Sequence, residues 1–352
     1  MDFYKGKKVL ITGNTGYKGA WLTKMLLSLG AEVSGISIGY EENSLYERLT
    51  KARIETCFTD IADFDKTKEY IRQIKPEIVF HLAAQAYVDV SINNPLKTYQ
   101  TNVVGLANIL ECIKESNTIR TVVVVTSDKC YENNGDGTAY KEEAPFGAAD
   151  PYSTSKACQE LVAQSYYKTF LSNLGINLAT ARASNVIGGG DFNTKRLLPY
   201  VIDSFLCKKQ PELRNVSAIR PWQNILDVLY GYLLLGEKLN NDNKYCIPFN
   251  FGPNEASFIS VGRIVEMLSG YFENATYVSM PTKHFVEANI LKLDSKRARD
   301  MLRWSPLLTL EDTVQQTAEF HKAVLEGKDA DAVCDLYISR YLRLVRIKKE
   351  KL

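Results

Sequence analysis

Histidine is scarce in this chain, and none of it is paired. His81, His284 and His321 stand far apart among 352 residues, which excludes the ligand spacing of a catalytic zinc site, and no metal is expected. The seven cysteines (Cys57, Cys112, Cys130, Cys158, Cys207, Cys246 and Cys334) include no C-x-x-C pair and are odd in number. That excludes a disulfide framework and predicts reduced thiols in a cytoplasmic protein. No apolar run approaches the length of a transmembrane helix, and residues 1–8 show no long apolar stretch of a signal peptide, so no membrane is expected. Neither sign of charge dominates: the formal net charge of +2 offers no electrostatic case for a nucleic-acid partner. Residues 340–351 set six basic side chains against one acidic and read as a solvated terminal helix. Internal repeats and low-complexity segments are also lacking.

What is present is the composition of a globular enzyme, 45% hydrophobic and 24% charged, with ample length for a large core. Short β-branched runs at residues 8–12 (KVLIT), 32–38, 77–82 (EIVFHL), 121–126 (TVVVVT), 177–183 and 249–251 alternate with helix-length amphipathic segments, among them 95–115 and 152–171. This alternation predicts an α/β protein, a parallel sheet covered on both faces. Ligands of such sheets bind beyond the carboxyl ends of the strands, where Gly13, His81 and Ser127 fall. After Asn185 the pattern loosens, returning to a helix at 224–239. Residues 1–185 and 223–251 are therefore assigned to a dinucleotide-binding domain. Residues 186–222 and 252–352 are assigned to a smaller, mostly helical substrate lobe.

Residues 13–19 (Gly13, Asn14, Thr15, Gly16, Tyr17, Lys18, Gly19) form a G-x-x-G-x-x-G turn between a strand and a helix. Its glycines permit a tight turn, backbone approach to a pyrophosphate and close helix packing, while the helix N-terminus attracts phosphate. The acidic residue expected about 20 residues later is absent: Gly39 stands at the strand end, followed by Tyr40, Glu41 and Glu42. Glu41 is the candidate for the ribose 2′-hydroxyl. No Lys or Arg lies close enough in sequence for a 2′-phosphate, so NAD is favoured over NADP. Asp60 and Ile61 are placed to meet the adenine.

The chemistry is concentrated in two short stretches, Ser127-Asp128-Lys129 and Tyr152-Ser153-Thr154-Ser155-Lys156. Tyr and Lys four residues apart share one helix face, and a nearby ammonium stabilises a phenolate that serves as a base. Hydride transfer alone needs little beyond Ser127, Tyr152 and Lys156. The added Asp128-Lys129 pair predicts a second proton transfer and a leaving group, hence elimination as well as oxidation. His81 reads as a packed histidine, and Cys130 as a small buried apolar residue.

Together the stretches TGNTGYKGAWL, HLAAQ, TSDKCYEN, DPYSTSK, ASNVIGGGDF, RPWQN, LKLDSKRAR and AVCDLYISRY resemble the extended short-chain dehydrogenase/reductase family, in particular its nucleotide-sugar 4,6-dehydratases. The resemblance spans residues 8 to about 342. It implies a Rossmann-type doubly wound sheet, a tightly held NAD and a nucleotide-sugar substrate. CDP is favoured as carrier over GDP, UDP or dTDP, and a 4-epimerase or 4-reductase stands as the alternative. It further implies Thr12, Gly13, Gly16, Gly19, Asp60, Leu82, Ala83, Ala84 and Lys156 at the dinucleotide, with Gln85, Asn185, Arg196 and Arg220 at the substrate. Ser127 would orient the sugar 4-hydroxyl, Asp128 would act as acid at C-6, and Lys129 occupies the place of a glutamate base in related dehydratases. Asn14 and Gly39 depart from the family pattern, which usually has His and an acidic residue there. A homodimer or dimer of dimers is expected through helices 95–115 and 152–171, using Val103, Leu106, Leu110, Leu161 and Phe170. The resemblance also places the enzyme in the supply of 6-deoxy sugars for polysaccharide biosynthesis.

Overall fold

The computed structural model describes residues 2–280 and 290–350; His284 and Lys351 lie outside them. Seven strands form one parallel sheet: β1 (Lys8–Thr12), β2 (Glu32–Ser37), β3 (Glu55–Phe58), β4 (Ile78–His81), β5 (Thr121–Val125), β6 (Asn177–Ala183) and β7 (Phe249–Phe251). Their order across the sheet is β7-β6-β5-β4-β1-β2-β3, every neighbouring pair parallel. The direction of winding reverses between β1 and β4, and in such sheets the cleft opens at that switch point.

The apolar runs are continuous because both faces of the sheet are covered. Val9 and Ile11 point to one face, where they meet α1 (Tyr17–Ser28) through Trp21 and Met25. Leu10 points to the other, into a core shared with α2 (Phe64–Ile74) and α3 (Gly105–Lys114). The period-two alternation of a strand dictates this split. On the second face α4 (Pro151–Tyr166) contributes Ala163. A separate core joins α5 (Leu197–Leu206), α7 (Val261–Ser269) and α8 (Leu310–Leu325) around Trp222. The intervening α6 (Ile225–Asn241) belongs to the first core. The last helix, α9 (Ala330–Glu350), also returns to the first core through Cys334, Tyr337, Ile338, Tyr341 and Val345.

Two expectations change. The segment expected as one helix over 95–115 is a helix at Pro95–Tyr99, a π-turn at Gln100–Val104 and then α3. Leu106 and Leu110, expected to be spare for pairing with a second subunit, are fully buried against the sheet. A π-turn inserts one residue, which rotates the following face by about 100°. The apolar side chains left outward are Leu96, Val104, Leu161 and Phe170. All seven cysteines are unpaired thiols, and no helix among the described residues is long and apolar enough to cross a membrane.

Candidate active site

The glycine turn follows β1 directly. Gly13 has φ +76°, and a Cβ there would lie 2.8 Å from the Ala83 nitrogen, so only glycine lets β1 and the loop after β4 approach this closely. Thr12 Oγ1 lies 2.8 Å from His81 Nδ1 and accepts from the Ala83 N–H at 3.2 Å, fixing Leu82, Ala83 and Ala84 at the strand ends. Asn14 is buried and bonded to neither cleft nor solvent: its amide donates to Thr56 Oγ1 at 2.9 Å and accepts from Ser37 Oγ at 2.9 Å. Thr15 Oγ1 donates to the Gly39 carbonyl at 2.6 Å.

At the start of α1, Gly16 caps the helix with no side-chain acceptor for the first N–H groups. A Cβ on Gly16 would meet only the Gly13 carbonyl, at 3.4 Å. Uncapped helix N–H groups beside open space make an anion cradle. Lys18 adds a cation to it. Desolvation lowers its pKa to about 8, offset by Asp128 and reinforced by Arg196. This donor set fits the pyrophosphate of a dinucleotide. Tyr17 points elsewhere: a Cβ on Gly188 would sit 2.9 Å from its hydroxyl, and the Arg196 guanidinium lies 6.0 Å from its ring centre.

Three other residues expected at the cofactor also make contacts within the protein. Asp60 accepts from the Ala62 N–H at 2.9 Å and from Lys97 Nζ at 2.6 Å. Ile61 is buried, and a Cβ on Gly105 would clash with it at 2.7 Å. Glu41, expected near the ribose, instead accepts from Asn193 Nδ2 at 2.7 Å and from the Tyr87 hydroxyl at 3.3 Å. It thereby joins the end of β2 to the loop after β6.

The loop after β5 and the start of α4 bring the chemical groups together. Asp150 caps α4, accepting from the Ser153 N–H at 2.9 Å, and Pro151 occupies the first turn. Cap and proline together fix Tyr152 at the helix entrance. Burial raises the Tyr152 pKa, while the Lys129 charge and hydrogen bonding with Ser127 pull it down. The Ser127 hydroxyl donates its one proton to Asp128 Oδ1 at 3.0 Å and accepts from the Lys129 N–H at 3.2 Å. Asp128 is 4% exposed and its Oδ2 has no partner. Burial raises its pKa from 3.8 to about 6, against the opposing pull of Lys129. A buried carboxyl with a free oxygen and a raised pKa is equipped to hold and deliver a proton.

Lys156 lies one turn further along α4. It donates to Gln159 Oε1 at 2.8 Å and to the Val125 carbonyl at 3.4 Å. Burial, and then the Lys18 charge, lower its pKa to about 7. In this arrangement the cation bearing most strongly on the Tyr152 phenol is Lys129.

Each of the expected substrate residues is bonded within the protein. Arg196 donates to Asp191 Oδ2 at 2.8 Å and stacks 5.4 Å over the Tyr87 ring. Arg220 is buried, with Nη1 donating to the Ile219 carbonyl at 3.0 Å. The Asn185 carbonyl accepts from the Gln223 N–H at 3.0 Å. Gln85 spends its amide on the Tyr87 carbonyl at 2.8 Å and on Thr98 Oγ1 at 3.3 Å. Asn102, in the π-turn, bonds the Gln85 carbonyl at 3.0 Å and Ser155 Oγ at 2.8 Å, tying that loop to α4.

Sequence reasoning missed the brace behind the site. Arg182 bonds Glu160 at 2.8 Å and the Tyr131 hydroxyl at 2.7 Å, and Tyr131 donates to Asn250 Oδ1 at 2.7 Å. These bonds anchor the loop carrying Ser127, Asp128 and Lys129 to β6 and β7. One signal was available: Glu160 stands four residues after Lys156, on the same face of the helix.

Asp128 also makes a stability prediction. A folded-state pKa above the ordinary value means the folded protein binds the proton more tightly, so its stability falls as pH rises from about 4 to 6. Above that window the penalty is about 3 kcal/mol. Asp128→Asn is expected to raise the melting temperature at pH 7 but not at pH 4, checked by thermal unfolding at both.

The sheet order, the glycine turn and the Ser-Tyr-Lys group define a dinucleotide-dependent short-chain dehydrogenase/reductase. More narrowly, the chain belongs to the family described as GDP-mannose 4,6 dehydratase, whose profile matches residues 10–317. It is 39% identical over 351 residues to a CDP-glucose 4,6-dehydratase of Salmonella typhimurium, covering 97% of this chain and 98% of the relative. A dTDP-glucose 4,6-dehydratase of Haemophilus influenzae is 25% identical, over 89% and 97% of the two chains. Among solved structures, an epimerase from Methanothermobacter thermautotrophicus superposes with a TM-score of 0.81 at 22% identity, covering 92% of this chain and 95% of that one. A dTDP-glucose 4,6-dehydratase of Bacillus anthracis, solved in complex with NAD, gives 0.76 at 20%, covering 93% and 100%. The last two likenesses are of fold.

Proposed function

We propose that this protein is a nucleotide-sugar 4,6-dehydratase that converts CDP-glucose to CDP-4-keto-6-deoxyglucose with NAD as its resident cofactor. The observation that carries the reading is Asp128. A buried carboxyl with a free oxygen and raised pKa stands beside Lys129 and within one hydroxyl of the Ser127–Tyr152 pair. Oxidation at a carbinol needs no such acid; expulsion of a hydroxyl does. The likeness to the CDP-glucose enzyme over nearly the whole chain supports the choice of nucleotide.

NAD would lie along the 13–19 turn, its pyrophosphate on the N-terminus of α1 and Lys18, and would supply the hydride acceptor for C-4 and the donor for C-6. The protein's groups manage the protons. Ser127 orients the sugar 4-hydroxyl and Tyr152, as phenolate, takes its proton. The resulting ketone acidifies C-5. Lys129, as the neutral amine, removes the C-5 proton while Asp128 protonates the departing 6-hydroxyl, and water leaves. Once C-6 is reduced, Lys129 returns its proton to C-5. Arg196 and Arg220 pair with the diphosphate.

Mass spectrometry of products from CDP-, dTDP-, GDP- and UDP-glucose tests this. The expected product from CDP-glucose has lost one water, and deuterium placed at C-4 reappears at C-6. A product of unchanged mass, inverted at C-4, would make the protein an epimerase.

Two further parts of the reading rest on surface and composition. Unpaired thiols suit a cytoplasmic setting. Leu96, Val104, Leu161 and Phe170, each at least 40% exposed, suit a homodimer formed by the Pro95–Lys114 segment and by α4 with the π-turn Tyr167–Leu171 that follows it, about a two-fold axis. Light scattering should give twice the chain mass, and a Val104→Glu, Leu161→Glu double variant should give the monomer.

A further inference from the structure

The geometry points to Gln159 as the positioning residue of the oxidation site: its amide oxygen holds the Lys156 ammonium in place beneath the cleft. The bond is 2.8 Å long, and both side chains are buried, Gln159 fully and Lys156 at 4% exposure. An ammonium carries three donors. Gln159 Oε1 and the Val125 carbonyl take two of them, leaving one to be claimed from the cleft.

The arrangement is not explained by packing. Gln159 Nε2 is buried without a partner, and an unpaired buried amide N–H opposes folding. A leucine of nearly the same volume would fill the position on α4 without that cost. What the amide adds is a close acceptor aimed at a cation that would otherwise have only the Val125 carbonyl, at 3.4 Å. That cation is under pressure from several sides. Lys18, on α1, repels it and Glu160, on the same helix, attracts it. Cys130, after β5, bears on it as well, and His81, at the end of β4, lies close enough to feel its charge. The Glu160 carboxylate is already engaged by Thr126, Thr180 and Arg182, so Gln159 supplies the acceptor that Glu160 does not.

The inference rests on Lys156 being the amine of the oxidation site, and its test does not need the substrate. In cofactor-free protein carrying ¹³Cε-labelled lysine, the Lys156 resonance is assigned by its loss in Lys156→Met and titrated by NMR. Gln159→Leu removes the acceptor that favours the ammonium, so the Lys156 titration should move down by about one pH unit. Gln159→Glu puts a carboxylate at the same place and should move it up by at least as much. With cofactor and substrate, the pH limit set by Lys156 on the first hydride transfer should move in the same two directions. The Leu variant should lose about tenfold in kcat near neutrality with KM unchanged. A purely structural role would not shift the two titrations in opposite senses. Titrations that coincide with the parent's, or move the same way in both variants, overturn the inference. If Gln159→Leu does not fold, the glutamate variant decides alone. If the titrations shift as expected but no nucleotide sugar is turned over, the functional reading fails and the hold on Lys156 stands.

Discussion

Lys129→Met is expected to halt turnover after the first hydride transfer, leaving cofactor in its reduced form once substrate is added. If Lys129 removes the C-5 proton, its loss leaves C-4 oxidation possible and blocks elimination. General-base contributions are typically about 100- to 10,000-fold, so product formation should fall by that range while reduced nicotinamide accumulates in the absorbance spectrum. The structure adds a complication. The Lys129 charge also lowers the pKa values of Tyr152 and Asp128, so methionine weakens the tyrosine as a base as well.

Lys129→Arg separates the two effects. Arginine keeps the positive charge but holds its proton throughout the accessible range. It should therefore preserve the rate of substrate-driven reduction near the parent's value and still block loss of water. Methionine should slow the reduction too, with the deficit shrinking as pH rises and the phenolate forms without help. If either variant dehydrates its substrate at a near-parental rate, Lys129 is not the base.

The extent to which this was legible in the sequence follows from contact range. The central strands were readable because a parallel sheet covered on both faces buries every residue, as in β5, where all five positions are buried. The edge strand β3 was not. Glu55–Phe58 is exposed at both ends and half-buried between, so its ETCF sequence carries no apolar run. Ser127, Asp128, Lys129, Tyr152 and Lys156 were readable because a strand end and a helix entrance display neighbours in sequence as neighbours in space. The partners that tune them come from further away or from a different period. Arg182 reaches Glu160 from another strand, and Asn193 reaches Glu41 across 152 residues. Glu41 was placed near the ribose by its distance from the glycines alone, and its hydrogen bonds to Asn193 and Tyr87 come from two loops whose paths sequence does not reveal. Leu106 and Leu110 were assigned to an outer face by extending a regular helix through the π-turn at Gln100–Val104.

Tyr152→Phe should fail one step earlier than Lys129→Met, with no reduced cofactor at any pH. Oxidation at C-4 needs the 4-hydroxyl proton to leave as the hydride does, and neither Lys156 nor Asp128 is poised to take it. Lys156 is committed to Gln159 and Val125, and Asp128 is a proton holder whose pKa burial has raised. A loss of about 100- to 10,000-fold in the reduction step is expected, with substrate binding kept because phenylalanine preserves the ring. The pH dependence separates this from a packing defect. Burial holds the Tyr152 pKa above its ordinary value, and Ser127 and Lys129 counter it, so the parent's reduction rate should climb as pH rises and more phenolate is present, up to the limit set by Lys156. Ser127→Ala removes one of those counterweights and should displace the climb to higher pH, recovering part of its rate there. Tyr152→Phe should be flat across the same range. A Phe variant that keeps the parent's climb would assign the titrating base to another group, and Lys156 would be the first to examine.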